Sequence, residues 1–364
     1  SNPPRREFFR LICSPRLLQC LDVVSRLRRR SVVGLGIATG EGGAMIRLGF
    51  VGCGGIMEEH YKRLQAVADV KMVGHCDTET ERAKSAADRY GGDAFNDCEQ
   101  MLDKAKPNAI YIAVPPFAHG PIEEAAAARN IHMFIETPIA LDRAMARRVA
   151  AAVQRSKAIV SVGYCYRYCD TVAMARRLLK GKAVSLACGC WNGGMPEVWW
   201  WRRRDKSGGQ LIEQTTHLVD LIRYLCGEVC EVYAVASRGC MSNVKDYDVD
   251  DSTAVSLRLK NGATACIAST CCVMNRAGRT GLEIVTPEMT LQLNGGVLQV
   301  YENARMTEHR PSNDMYLEET LVFLDAVRNG KKNRIKSPLS DAMKTFLITC
   351  AANESIQSGM PVRP

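Results

Sequence analysis

Nowhere in these 364 residues does an uninterrupted apolar run reach the ~18 residues a membrane-crossing helix needs, so no membrane span is expected. No pair of C-x-x-C motifs occurs either, which speaks against a structural zinc site, and no bound metal is expected. Beyond residue 45 there is no basic stripe of the kind a nucleic-acid-binding face requires. The net charge of +9 arises largely near one end: eight arginines lie within residues 1–30, opposed only by Glu7 and Asp22. A nucleic-acid partner is therefore not expected.

What is present is ordinary for a soluble globular protein, with 46% hydrophobic and 24% charged residues. The length suggests about two domains. The 16 cysteines fall mostly inside apolar runs such as SLACGCW and ATACIASTCC. Reduced thiols in a reducing, cytoplasmic compartment fit that pattern better than a disulfide framework. PRREFFR, residues 4–10, looks like a twin-arginine export motif, but Arg16, Asp22 and Arg28–Arg30 interrupt the apolar segment such a signal needs. An arginine-rich presequence is an alternative. The favoured expectation is that residues 1–44 are extraneous to the fold, because Met45 opens directly onto the first strand.

The chain is organised around IRLGFVGCGGIMEEH, residues 46–60. It reads as a strand, a glycine turn and the first turn of a helix. Gly52, Gly54 and Gly55 allow a tight turn and close approach of the backbone to a ligand. A helix starting near Ile56 aims its free N–H groups and positive dipole end at a phosphate. The match to G-x-G-x-x-G is incomplete, because Met57 fills the third position. DVKMVGHCD is a second strand ending in Asp77, 25 residues after Gly52 and close to the ~20-residue offset of a ribose-binding carboxylate. A helix cap is the other reading of Asp77. Thr78 and Glu79 follow it rather than an arginine, which favours NAD, although Arg82 leaves NADP open.

Strands and helices alternate from 45 to 164, which predicts a doubly wound parallel sheet. The glycine turn, Asp77, Pro115–His119 and Glu136–Pro138 all fall at carboxyl ends of its strands, where ligands of such sheets sit. From residue 165 onward a second α+β domain is expected, with a large, mainly antiparallel open sheet and a closing helix at 340–357. Asn261–Gly262 reads as a two-residue hairpin turn. SGGQLIEQTTHLVDLIRYLCGE, residues 207–228, reads as one helix with Glu213 and His217 on one face and Asp220 bordering it. A carboxylate beside an imidazole can hold its tautomer and raise its pKa, which suits proton transfer. The pair also has a reading as a surface ion pair, and H-x-x-D resembles half a metal site that no second His-rich helix completes. WWWRRR, residues 199–204, reads equally as a loop closing over substrate or as core and interface tryptophans.

Taken together, GFVGCGGIMEEH, AVPPFAHG, IETPIAL, SGGQLIEQTTHLVDL and the hairpin around NGAT resemble the glucose–fructose oxidoreductase / inositol dehydrogenase / rhizopine-catabolism family (Gfo/Idh/MocA) over residues 45–364. The resemblance implies a Rossmann domain binding NAD or NADP, and a C-terminal domain whose sheet packs dimers or tetramers. It implies oxidation or reduction of a hydroxyl on a sugar, inositol or related polyol. Gly52, Gly54, Gly55 and Ile56 match the pyrophosphate turn, and Asp77 the ribose carboxylate. Pro115 and His119 match the segment beside the nicotinamide ribose, Glu136 the glutamate of E-K-P, and His217 the catalytic histidine. Tyr166 and Arg167 match the inner end of the pocket. Trp191, Lys206 and Asp220 complete the expected substrate wall.

Thr137 stands where that family carries its catalytic lysine, and Glu213 where it carries an aspartate four before the histidine, a change seen as E-Q-x-x-H in part of the family. The expected mechanism has His217 take a hydroxyl proton, Glu213 orient the imidazole, and Thr137 position the substrate oxygen with help from Lys206. The loss of the lysine leaves two rivals: a dinucleotide-binding sensor or regulator with little turnover, and NAD-assisted glycoside cleavage.

Overall fold

Leu48, Phe50 and Val51 lie on strand β1 (Ile46–Val51), which is buried on both faces in the computed structural model. The structure describes residues 45–274 and 277–364, and the expectations for residues 1–44 lie outside them. The first half of the described chain runs β1, α1 (Gly55–Leu64), β2 (Val70–Cys76), α2 (Thr80–Tyr90), β3 (Asp93–Phe95), α3 (Cys98–Ala105), β4 (Ala109–Ile112), α4 (Pro121–Ala128), β5 (His132–Ile135), α5 (Arg143–Gln154) and β6 (Val160–Val162). All six strands are parallel, in the order β3-β2-β1-β4-β5-β6. That is the dinucleotide-binding order, with a switch point between β1 and β4. Strands covered on both faces carry continuous apolar runs, which AIYI in β4 shows. Ala109 and Tyr111 face one core layer and Ile110 and Ile112 the other.

The second half runs α6 (Asp170–Leu178), β7 (Leu186–Asn192), α7 (Arg204–Ser207), α8 (Gln210–Glu213), α9 (Thr216–Cys226), β8 (Val229–Ser237), β9 (Ser252–Leu259), β10 (Thr264–Thr270), β11 (Arg279–Val285), β12 (Thr290–Asn294), β13 (Val297–Glu302), β14 (Arg305–His309), α10 (Met315–Asn329) and α11 (Leu339–Ser358). Its eight strands are ordered β14-β13-β12-β11-β7-β10-β9-β8, and only β7 and β10 pair in parallel. Burial alternates along β9 and β10: Val255, Leu257, Ala265 and Ile267 point into a core shared with α6, α9 and α11. Ala254, Ser256, Cys266 and Ala268 face away, and Tyr233 and Val235 are exposed on the neighbouring β8.

Two expectations about local structure are corrected. The β9–β10 connection is a three-residue loop, Lys260–Gly262. Leu259 N–H donates to the Ala263 carbonyl at 2.9 Å, and Gly262 sits at φ +90°. Asn261 keeps negative φ because its side-chain amide donates to the Cys226 carbonyl at 2.8 Å, so the two-residue turn with both φ values positive does not form. The stretch 207–228 is not one helix. Thr215 N–H reaches back five residues to the Gln210 carbonyl at 2.9 Å, a π-type turn that separates α8 from α9.

Helix α10 had no counterpart in the sequence reading. Asp314 caps it by accepting from the Tyr316 and Leu317 N–H groups, and Gly330 ends it at φ +69°. It carries Phe323 and Leu324 back into the core formed by Leu48, Phe50, Met57 and Tyr61. Met57 is thus consumed in packing α1 against the sheet, which explains how a methionine serves at the third motif position.

A buried ion-pair network joins the two halves. Arg167, just after β6, donates to both Asp220 oxygens, at 2.7 and 2.6 Å, and lies 2.7 Å from Asp341 on α11. Removing one member of a buried pair strands the other charge, which typically costs ~3–5 kcal/mol. Arg167→Ala is therefore expected to lower the unfolding free energy by ~3–5 kcal/mol in urea titration. A loss below ~1 kcal/mol, the range of exposed pairs, would contradict the network's role.

Candidate active site

The glycine turn after β1 has a conformation that only glycine adopts without strain. Gly52 sits at φ +83°, and a Cβ there would lie 2.2 Å from the Ala113 carbonyl oxygen. At Gly54 and Gly55 an added Cβ would meet nothing within 4 Å, so the backbone borders open space at the start of α1. The first N–H groups of α1 have no partner inside the helix and point into that space. Ile56 is exposed beside them. Asp77, at the end of β2, is drawn to the turn: its Oδ2 accepts from the Cys53 N–H at 2.8 Å and its Oδ1 from the Glu79 N–H at 2.8 Å. Arg82 is engaged with Glu79 at 3.1 Å.

Further along the same rim, Pro115 opens a short 3-10 turn after β4. His119 follows it and is buried. Its Nδ1 is held by Glu123 at 2.6 Å, and its Nε2 has no hydrogen-bond partner among the described residues. After β5, Glu136 is buried, and its Oε2 accepts from the Thr137 N–H at 3.2 Å. Its Oε1 meets His60 Nε2 of α1 at 2.5 Å, and the buried Glu319 of α10 lies in the same cluster. Burial, with the Glu136 carboxylate beside it, raises the Glu319 carboxyl well above the usual carboxylate range. His60 and Glu319 were not anticipated as site residues. His60 lies inside the quoted glycine-turn stretch, and Glu319 could have been found from the Asp314 cap and Gly330 stop around the apolar run of α10.

Thr137 and His217, 80 residues apart in sequence, meet at the carboxyl end of the parallel sheet, with Thr137 Oγ1 3.3 Å from His217 Nε2. The imidazole stacks on Trp191, centroids 5.9 Å apart, and receives the ring edges of Tyr164 and Tyr166. Burial lowers the pKa of His217, outweighing the opposing charges of Glu136 and Asp220. The expected partnership with Glu213 does not form. The π-type turn puts Glu213 and His217 on two separate helices, so their i,i+4 spacing no longer places them on one face. Glu213 instead accepts from the Trp201 indole N–H at 2.8 Å, and burial pushes its carboxyl up to about 7. His217 Nδ1 is left without a partner among the described residues.

Two expected substrate residues are likewise committed elsewhere. Arg167 and Asp220 are buried against each other, so neither presents a free charge to a ligand. Lys206 stands with its ammonium 4.8 Å from the centre of the Phe117 ring, 3.6 Å from Asp205, and no hydrogen bond joins it to Thr137. In the tryptophan triplet Trp201 is fully buried in the core, and Trp199 is exposed, 6.1 Å from Phe117.

Residues 46–164 match the oxidoreductase family described as having an NAD-binding Rossmann fold, and residues 174–309 match the GFO/IDH/MocA C-terminal domain. The chain belongs to the Gfo/Idh/MocA oxidoreductase family. It is similar to myo-inositol 2-dehydrogenase of Thermotoga maritima, 23% identical over 343 residues, covering 87% of this chain and 98% of the relative. It is also similar to glucose-6-phosphate 3-dehydrogenase of Bacillus subtilis, 24% identical, covering 71% and 77% of the two chains. Among solved structures, levoglucosan dehydrogenase in complex with NADH shares the fold with a TM-score of 0.78 at 22% identity, over 87% of this chain and 98% of that one.

As a Gfo/Idh/MocA protein the chain is an oxidoreductase whose Rossmann domain binds NAD, and the geometry fits that cofactor. The open space beside Gly54 and Gly55 and the Asp77 carboxylate next to it are the groups that would hold a diphosphate and a ribose. The two glycine positions separate folding from binding. Gly52→Ala is expected to lose ~1–3 kcal/mol of stability to backbone strain. Gly54→Ala should melt within a degree or two of the parent, a shift of a few tenths of a kcal/mol, yet weaken NAD binding at least tenfold by calorimetry. Equal NAD affinity in Gly54→Ala and the parent would remove the cradle from the cofactor site.

Proposed function

We propose that this chain is an NAD-dependent dehydrogenase that oxidises a hydroxyl of a sugar, inositol or related polyol to a carbonyl. The single observation that carries the reading is the approach of Thr137 Oγ1 to His217 Nε2 at the rim where the cofactor cradle opens. The names of the curated relatives support the substrate class and favour a dehydrogenase over a silent sensor or a glycoside-cleaving enzyme.

Bound NAD supplies a hydride acceptor at its nicotinamide ring. His217, neutral because burial lowers its pKa, accepts the proton of the substrate hydroxyl at Nε2 as the carbinol hydride leaves. The Thr137 hydroxyl donates to the same substrate oxygen and steadies the charge that develops there. It does so without the full positive charge of the lysine that the family resemblance leads one to expect at this position, so the imidazole carries more of the task. Trp191, Tyr164 and Tyr166 fix the ring plane and exclude water from it. The Asp77 carboxylate favours a free ribose hydroxyl over a 2′-phosphate, and hence NAD over NADP.

The exposed face of the eight-stranded sheet, with Tyr233 and Val235, supports assembly of two or four copies through it. The free cysteines of the described residues fit a reducing, cytoplasmic setting.

A panel of sugars, inositols and their acids, assayed by the absorbance of reduced cofactor, tests the reading. His217→Ala should lower kcat by ~10²–10⁴ with NAD binding retained, and unchanged activity would refute the assignment. Thr137→Val should lower kcat by up to ~10², the size of effect of a lost transition-state donor. The sign of the pH dependence follows from the lowered pKa. Only the neutral imidazole accepts a proton, so kcat/KM should be level above its usual 6.5 and fall as pH drops through a midpoint below 6.5. A midpoint above 6.5 would be incompatible with a His217 base.

A further inference from the structure

Far from the Thr137–His217 rim in sequence, two thiols and a carboxylate converge. Cys240 lies on the loop between β8 and β9, Asp251 at that loop's end, and Cys272 just past β10. Their ligand atoms all lie within 4.8 Å of one another. Asp251 is fully buried. Its Oδ2 accepts from the Cys240 N–H at 2.6 Å, while its Oδ1 is buried without a hydrogen-bond partner. The Tyr247 hydroxyl lies 3.1 Å from Cys271 Sγ and also interacts with the Asp251 carboxylate, but not in a geometry that pairs Oδ1. A buried carboxylate oxygen left unpaired costs ~1–3 kcal/mol or more, and such a group calls for an ion or water.

We propose that Cys240, Asp251 and Cys272 form a binding site for a thiophilic divalent cation, zinc foremost. The reading does not depend on the dehydrogenase assignment. Two sulfurs and one oxygen are the donor set of a borderline-soft metal rather than of magnesium or calcium. In a tetrahedral zinc site with bonds of about 2.3 Å to sulfur, ligand atoms stand about 3.3–3.8 Å apart. Cys240 is exposed on its loop and has the freedom to close that distance. The same exposure gives the ion an entry path and a solvent molecule as fourth ligand. The Cys240 N–H bond to Asp251 Oδ2 fixes the orientation of the carboxylate, which is how outer hydrogen bonds aim metal ligands. Both thiols lose their protons on binding, so affinity rises with pH.

The location gives the site a consequence. Tyr247, Val249, Cys271 and Trp201 form a small separate core beneath the 199–204 segment, and Trp201 is the residue that holds Glu213. A cation joining Cys240 to Cys272 closes the β8–β9 loop over that core and stiffens the wall of the cleft.

The reduced, full-length protein is titrated with cobalt(II), followed by zinc(II) competition. The expected result is one cobalt per chain with a thiolate-to-cobalt charge-transfer band, displaced by zinc. The band should vanish in Cys240→Ser and in Cys272→Ser, and cobalt should bind at least tenfold more weakly in Asp251→Asn. It should persist in Cys188→Ser and Cys266→Ser, whose sulfurs stand 3.3 Å apart on the open sheet face and form a competing pair. Zinc should raise the melting temperature of the parent and not of the two serine variants, each checked for folding by circular dichroism. Absence of the band, its survival in Cys240→Ser and Cys272→Ser, or a Cys240–Cys272 disulfide in place of bound metal would overturn the proposal.

Discussion

The close contact of two chain reversals sets the geometry of this protein. A side chain at position 52 would drive its Cβ into the Ala113 carbonyl, 2.2 Å away, so β1 and β4 can leave the sheet side by side only if residue 52 is glycine. This is where the sheet order turns about, and a crevice opens beyond the strand ends. The crevice then receives groups from five different crossings of the sheet. No member of that group is positioned by its own sequence neighbours alone.

Beneath the crevice runs a chain of buried polar contacts. His60 on α1 holds Glu136, which joins the helix that opens the glycine turn to the segment that carries Thr137. Glu319 on α10 lies close to the same carboxylate, with neither of its oxygens hydrogen-bonded among the described residues. In an interior of low dielectric such an unpaired group is costly, so this corner of the site is polar but not fully satisfied. Like the His60–Glu136 contact, the Arg167–Asp220–Asp341 cluster ties elements together, here holding α9 and hence His217. Charges that a linear reading assigns to the substrate are in this way spent on holding the site's frame.

Most of the first half was legible because its signals are local. Short apolar runs bounded by glycine and proline specify parallel strands, and the glycine turn announces its ligand. The second half yielded its hairpin succession through period-two alternation but lost detail wherever a long-range contact overrode a local preference. Asn261 bends to Cys226, and the Asn-Gly turn changes type. Helix α10 went unread though its cap and stop were there, because its apolar face is completed by residues far earlier in the chain, Tyr111 and Phe134 among them. Of the site, Thr137 and His217 could be named from motifs. Spacing assigned Glu213 to orient the imidazole, and Asp220 and, through the family resemblance, Arg167 were expected to face the ligand; their tertiary partners engage them elsewhere.

The amino-acid order alone determined the alternation of strand and helix, the glycine conformations and the chemical character of the cofactor cradle, since each depends on residues within one or two turns of chain. The tertiary structure decided which polar groups face the cleft and which are consumed inside. The π-type turn sends Glu213 to Trp201 instead of His217, and burial rather than a carboxylate neighbour sets the imidazole's pKa. It likewise brought together Cys240, Asp251 and Cys272, whose spacing matches no sequence motif. Desolvation and pairing are properties of a neighbourhood in space, and only the fold defines that neighbourhood.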